Sequence, residues 1–339
     1  MRWLHLSTLF KRPFTWLLHI ALVTIVIGAC VTHFCGKQGD IHLRSDKAIV
    51  VPYSSISLFL WDFQIVYDGD NPVDYVSELR MLDRSQRPLK VDEGVVRMNK
   101  PLKYHGYRFC QSDYDSDGQG VVFAYNYDPW GIGITYAGYA MLLVAMIAFF
   151  FERRSYFRVL IRKQHTWLMV GLGIAIVVLA VVMTKVVTPK PPLQPVLQTP
   201  LLGIHVSVIM LAYTLFAVIM VNGIVGLCMP QRRKQVMSLS QVLLYPAEFC
   251  LTAGIFIGAV WANMSWGRYW GWDPKETWAL ITMLVYAVLL HYPWLRSKCG
   301  MSENRYQVSY HIFSIAAFLF VLFTYFGVSY LLGGLHSYA

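Results

Sequence analysis

Long apolar runs separated by short polar ones dominate the chain. Runs near 14–35, 132–151, 166–187, 203–229, 242–262, 276–293 and 308–332 each approach the roughly 20 mostly apolar residues that a membrane-spanning helix requires. They predict seven spans. The first follows positive charge, as in a signal peptide, but lacks a clear small-residue cleavage site and reads as a retained anchor. Residues 36–131 differ in kind. They are polar, with strand-like runs at Lys47–Pro52, Ser57–Val66, Val76–Leu82, Tyr104–Gln111 and Gly120–Tyr127. Turn signals such as Asp68-Gly69-Asp70-Asn71-Pro72 and Asp117-Gly118 separate these runs. The expected fold class is an all-α polytopic membrane protein of about seven transmembrane helices with a small β-rich external domain. Its expected divisions are an N-terminal anchor (1–35), the external domain (36–131) and a membrane domain (132–339).

Composition supports lipid as the solvent. Of 339 residues, 56% are hydrophobic and 14% charged, where a soluble domain carries about 25% charged residues. The net charge of +10 does not indicate nucleic acid. The basic residues gather beside apolar segments, at Lys11-Arg12, Arg153-Arg154, Arg232-Arg233-Lys234 and Arg296/Lys298/Arg305. Cytoplasmic loops carry this pattern. It predicts an inner-membrane protein with a cytoplasmic N-terminus and, after seven spans, an external C-terminus. Residues 188–202 and 263–275 are then also external, and Pro189 to Pro200 reads as an extended connector. The six cysteines form no CxxC or CxxCH, which argues against a c-type cytochrome, a thioredoxin-like reductant or a zinc site. Cys35 and Cys110 share the expected external side, where they either pair or stand as unrelated thiols. Asp113, Asp115, Asp117 and Gly118 faintly suggest a calcium loop, but the closing Glu is absent and a turn is the better reading.

The segment Trp261 to Trp278, WANMSWGRYWGWDPKETW, holds five tryptophans: Trp261, Trp266, Trp270, Trp272 and Trp278. Interfacial belts need only one or two rings per helix end. Gly267 and Gly271 allow tight folding, while Asp273-Pro274 can open the next helix as N-cap and first residue, with Glu276 in its first turn. The expectation is a flat aromatic shelf at the outer membrane surface, suited to a large planar apolar ligand. His205 and His336 are expected to flank it. Neutral imidazole is an axial ligand of haem iron, so shelf and histidines together point to a face-bound haem. His19 and His291 form a second pair toward the cytoplasmic side. They either ligate haem or snorkel to the interface. His311, inside the last span, is a further candidate, and Glu248 is expected to pair with a basic neighbour or cap a helix. A b-type electron-transfer protein would stack its histidines along two helices, whereas these four lie on four spans.

The string WGRYWGWDPKETWALITMLVYAVLLH resembles the WWD-signature System II cytochrome c biogenesis proteins of the CcsA/ResC type. TPLLGIHVSVIMLAY and LLGGLHSYA are similar to that family's segments around its two external haem-ligating histidines, here His205 and His336. HIALVTIVIGACVTHFCG and FCQSDYDSDGQGVVFAYNYDPWGIGITYAGY resemble the partner family CcsB/ResB. The whole is similar to a compact CcsB–CcsA fusion, although its CcsB-like portion is short for a fused member. The resemblance implies movement of haem b to the outer face and its attachment to the two cysteines of a CxxCH motif in an apocytochrome c. It implies iron ligation by His19, His291, His205 and His336, and haem contact by Trp261, Trp266, Trp270, Trp272, Asp273 and Trp278. His205 and His336 are the pair expected at the catalytic position. Asp273 and Lys275 would orient the loop or meet the haem propionates. A thiol-reducing partner is a further implication. Transport or delivery of haem without ligation is the alternative.

Overall fold

The structure, a computed structural model, describes residues 12–85, 90–152, 155–162, 173, 177 and 195–332. Helix α1 (Pro13–Cys35) leads into eight strands, β1 (Lys37–Arg44), β2 (Ile49–Val50), β3 (Ile56–Asp68), β4 (Asn71–Asp83), β5 (Val91–Arg97), β6 (Leu102–Tyr104), β7 (Tyr107–Tyr114) and β8 (Gly120–Tyr127). Helices α2 (Gly131–Phe151), α3 (Tyr156–Ile161), α4 (Pro200–Cys228), α5 (Arg233–Ser265), α6 (Pro274–Leu290), α7 (Tyr292–Cys299) and α8 (Glu303–Leu322) follow. A π-helical turn at Phe323–Gly327 and the short α9 (Val328–Leu331) continue α8.

Among the described residues, five helical stretches are long and apolar enough to cross a membrane: Pro13–Cys35, Gly131–Ile161, Pro200–Cys228, Arg233–Ser265 and Glu303–Leu331. Helices α6 and α7 meet at a 56° bend and make a sixth if taken as one span. The expected span near 166–187 lies largely outside the described residues. The expected span 242–262 begins earlier, at Arg233, because no breaker stands between Arg233 and Val242; Pro246 is accommodated inside α5.

The strands β1 to β8 form two antiparallel sheets, ordered β1-β8-β7-β6 and β2-β3-β4-β5. Their inner faces share one core built from alternate residues, with Ile41 and Leu43, Leu58 and Leu60, and Phe109 and Phe123 all buried. Sequence reading missed β1 and β5. In β5 only Val96 is buried, so an apolar alternation was scarcely there to find. The expected Lys47–Pro52 strand shortens to Ile49–Val50. The Tyr104–Gln111 run divides at His105-Gly106, which adopt φ of 48° and 83° and turn the chain between β6 and β7. Asp115 and Asp117 pair with Arg44 at 2.6 and 2.7 Å, and Gly118 turns the chain at φ 69°, as the turn reading expects.

One open alternative is resolved and two further expectations change. All six cysteines are free; Cys35 is exposed and Cys110 buried. Pro195–Leu197 is a 3-10 turn rather than extended chain. Glu248 sits within α5, 7% exposed, and its Oε2 has no hydrogen-bond partner among the described residues, so it neither caps a helix nor pairs with a base.

Candidate haem-handling site

The tryptophan segment begins as the last turn of α5 and ends as the first turn of α6. Trp266 caps α5, and Gly267, at φ 74°, turns the chain out of the helix. A Cβ at Gly267 would meet Cys110 Sγ at 3.0 Å, so only glycine suits both this conformation and the approach of β7. The descent into α6 matches the local expectation. Asp273 accepts from the backbone N–H of Lys275 at 3.0 Å, while Glu276 Oε2 accepts from the N–H of Asp273 at 3.3 Å. Pro274 follows the cap. This is a capping box, and Glu276 also accepts from Gly271 N–H at 2.8 Å. Asp273 is buried, and its carboxylate is thereby committed to shaping the loop.

The five indoles do not form one flat shelf. Trp261 is buried and meets Trp266 edge-on, with centroids 4.8 Å apart. Trp270 meets Trp272 edge-on at 5.9 Å. Trp278 packs on Phe320 and Phe323 of the last helical stretch, with the nearer ring at 4.3 Å. The cause is the helical phase: Trp261 and Trp278 belong to α5 and α6 and take the inward directions those helices dictate. Trp272 stands out. Its ring is 71% exposed and its backbone holds φ 55°, a left-handed conformation that is strained for a bulky residue.

Sequence reading did not foresee how the loop is anchored. The Tyr269 hydroxyl donates to Thr32 Oγ1 at the end of α1 (2.7 Å) and accepts from Thr135 Oγ1 in α2 (3.3 Å). Thr32 in turn donates to Asp128 at 2.6 Å. Asn263 donates to the Tyr136 hydroxyl, and Ser265 donates to Asn99. These partners are far apart in sequence, and no local pattern announces them.

His205 lies in the second turn of α4, against α5. Its Nδ1–H donates to the Gly254 carbonyl at 2.8 Å, which places the lone pair of the neutral ring on Nε2. Gly258 makes room for the ring. Because Gly258 precedes the end of α5 by seven residues, His205 sits roughly 10 Å below the tryptophan loop rather than level with it. His336 lies outside the described residues.

At the other candidate pair the structure brings together residues from the first helix and the bend after α6. The rings of His19 and His291 are 6.1 Å apart and inclined at 81°. Each Nδ1–H donates to the carbonyl one turn earlier in its own helix, His19 to Thr15 and His291 to Ala287, both at 2.7 Å. Both rings are exposed. His311 is different. It is fully buried, faces Gly226 and donates through Nε2 to the Arg233 carbonyl at 3.1 Å, which makes it a packing residue.

Two known families match the chain in succession. The cytochrome C assembly protein family matches residues 132–336, and the ResB-like family matches residues 9–131. The chain is 40% identical over 158 residues to Protein NrfI of Wolinella succinogenes, covering 43% of this chain and 17% of that protein. It is 37% identical over 158 residues to the cytochrome c biogenesis protein CcsA of Chlamydomonas reinhardtii, covering 43% of each. Against CcsA of Porphyra purpurea it is 49% identical over 88 residues, 26% of this chain and 25% of that one. The chain thus spans less than half the length of each of these relatives. With more than half of its residues matched, it belongs to the cytochrome c assembly protein family and carries a ResB-like segment fused ahead of the assembly domain.

Proposed function

We propose that this chain takes up haem b at His19 and His291, moves it to the outer face at His205 and His336, and joins it to the CxxCH cysteines of an apocytochrome c. The observation that carries this reading is the His19–His291 pair. Imidazole nitrogens about 2 Å from a metal on either side, with each ring centre about 1 Å farther out, require centroids about 6 Å apart. The separation of 6.1 Å fits, and the Nδ1 hydrogen bonds leave Nε2 as the lone-pair nitrogen in both rings. Two exposed imidazoles on separate elements suit uptake from the inner leaflet and later release.

At the outer site, His205 would hold the iron while the exposed Trp272 covers the porphyrin face. Each substrate thiol adds across one haem vinyl group. Sulfur bonds to the carbon next to the ring, the proton goes to the terminal carbon, and no electrons are exchanged with an outside acceptor. The protein orients the partners, and haem and thiols react. The rival reading, delivery without ligation, uses the same residues. The test is expression of the full chain with a CxxCH apocytochrome in a host that lacks its own maturation system. Covalent haem on the cytochrome is expected. Haem-loaded protein with no product would leave delivery alone. Loss of the low-spin bands of the purified protein is expected in His205→Ala and His336→Ala, and retention of those bands in both would overturn the outer assignment.

A further inference from the structure

Helix α1 begins without a cap of its own. The first turn of a helix leaves backbone N–H groups that its own carbonyls cannot take. Arg12, the residue ahead of α1, supplies no side-chain hydrogen bond, and Pro13 has no N–H to give. The partner comes from 138 residues away. Glu152 ends α2, and its Oε1 accepts from the backbone N–H of Phe14 at 3.4 Å. Its Oε2 accepts from Thr15 Oγ1 at 3.2 Å. Glu152 is buried, a position that is costly for a carboxylate unless it is hydrogen-bonded, and both of its oxygens serve α1. A carboxylate is also favoured at a helix N-terminus. The carbonyl of the same Thr15 accepts from Nδ1–H of His19 at 2.7 Å. A chain of contacts thus runs from Glu152 through Thr15 to the imidazole.

We infer that Glu152 is a positioning residue for His19. By fixing the first turn of α1, it holds the Thr15 carbonyl where it keeps the proton on Nδ1 and the lone pair on Nε2. That His19 ligates haem rests on the reading given under Proposed function; the control of its tautomer does not. The two histidines differ in this respect. Ala287, the acceptor for His291, has most of α6 before it to hold the backbone. Thr15 has only Pro13 and Phe14 of α1 before it. Without Glu152 that turn frays and the Thr15 carbonyl moves away from the ring. Which ring nitrogen carries the proton is set by the hydrogen bond made there. A neutral imidazole released from that bond favours the proton on Nε2, and a ring protonated there has no lone pair on Nε2 for iron.

The test is nitrogen NMR of the purified full chain, isotopically labelled at the histidine rings, at mildly alkaline pH where imidazole is neutral. The His19 signals are identified by their loss in His19→Gln. In the parent, Nδ1 should carry the proton. Glu152→Ala and the near-isosteric Thr15→Val should each shift His19 toward the Nε2–H form and leave His291 unchanged. The double variant should be no worse than Glu152→Ala alone, because the two residues act in one chain of contacts. Glu152→Gln and Thr15→Ser, which keep the acceptor and the donor, should restore the parental signals. Transfer of haem to an apoglobin acceptor should quicken about tenfold in Glu152→Ala and Thr15→Val, the low end for loss of a group that orients a metal-ligating histidine. If Glu152→Ala does not fold, Thr15→Val decides the matter. Parental His19 signals in the folded variants, or effects that add in the double variant, overturn the inference while leaving haem handling intact. A shifted tautomer in a protein whose haem content is untouched by His19→Gln would sink the haem reading at this pair and leave the positioning of His19 standing.

Discussion

Gly258→Ala gives the sharpest examination of the outer site, because it alters His205 without replacing it. A Cβ at position 258 would lie 2.7 Å from His205 Cε1 and 2.8 Å from Nδ1, where ordinary contact begins at 3.4 Å. The ring must retreat by roughly 0.7 Å, since α4 and α5 are packed along their length and the backbone cannot yield cheaply. A retreat of that size stretches the 2.8 Å bond to the Gly254 carbonyl toward the limit of hydrogen bonding. Losing the group that orients a metal-ligating histidine costs about 10–100-fold in metal affinity. Alanine is also the better helix former by about 1 kcal/mol, so the fold itself should not suffer. Gly254→Ala is the control. Its Cβ would meet the Ile209 side chain, Cδ1 at 2.5 Å and Cγ1 at 2.8 Å, which must change rotamer, while the carbonyl that holds His205 stays in place. The assay is the visible spectrum of the purified protein together with the rate at which haem passes to an apoglobin acceptor. Gly258→Ala should lose low-spin character and release haem at least tenfold faster, while Gly254→Ala should resemble the parent. Parental spectra and release rates in both variants would refute the orientation of His205 by Gly254.

The tryptophans should separate by role. Trp261→Ala removes a buried ring and should cost about 3–5 kcal/mol of stability, whereas Trp272→Gly relieves a strained left-handed backbone and should raise the melting temperature while haem affinity falls. Asp273→Ala should cost about 1 kcal/mol through loss of the N-cap, and Asp273→Asn should restore both stability and haem binding; an Asn variant as impaired as Ala would show that the charge, not the cap, matters. Iodoacetamide at mildly alkaline pH should modify the exposed Cys35 at least tenfold faster than the buried Cys110, with the two rates converging on unfolding, as read by mass spectrometry. Hydrogen bonds from Ser55 and Ser85, ahead of the charge of His105, hold the Asp83 carboxyl down at about 2 against a usual 3.8. Its contribution to the β-strand region is therefore full above pH 4 and lost as pH falls toward 2, and Asp83→Asn should flatten that part of the acid-unfolding curve.

What the sequence disclosed and what it withheld follow the range of the interaction concerned. The turn at Gly118 and the capping box at Asp273 depend on neighbours within a few residues, and both were legible. β1 was not. Its sequence KQGDIHLR offers only Ile41 and Leu43 as an apolar alternation, and it becomes a strand because β8 supplies partners along its length. The tryptophan cluster was visible as composition, but composition does not say which way a ring faces. Trp261 and Trp278 are turned inward by helices whose phase is set by packing. The meeting of His19 and His291 followed from placing both at one membrane depth, a topological argument that needs no contact information.

The loop's anchors give a physical reason for joining the two parts in one chain. Tyr269 reaches Thr32, Ser265 reaches Asn99, and Gly267 lies against Cys110. A hydrogen bond contributes about 1 kcal/mol net, and two of them do not offset the loss of translational and rotational freedom when separate chains associate. Within one polypeptide that cost is largely met by the covalent connection, and the same few contacts suffice to set the loop against the strands. A strained Trp272 persists only where the surrounding structure over-determines the backbone. The cap at Asp273 fixes it from one side and the Tyr269–Thr32–Asp128 chain from the other, so the ResB-like segment helps hold the exposed indole in position.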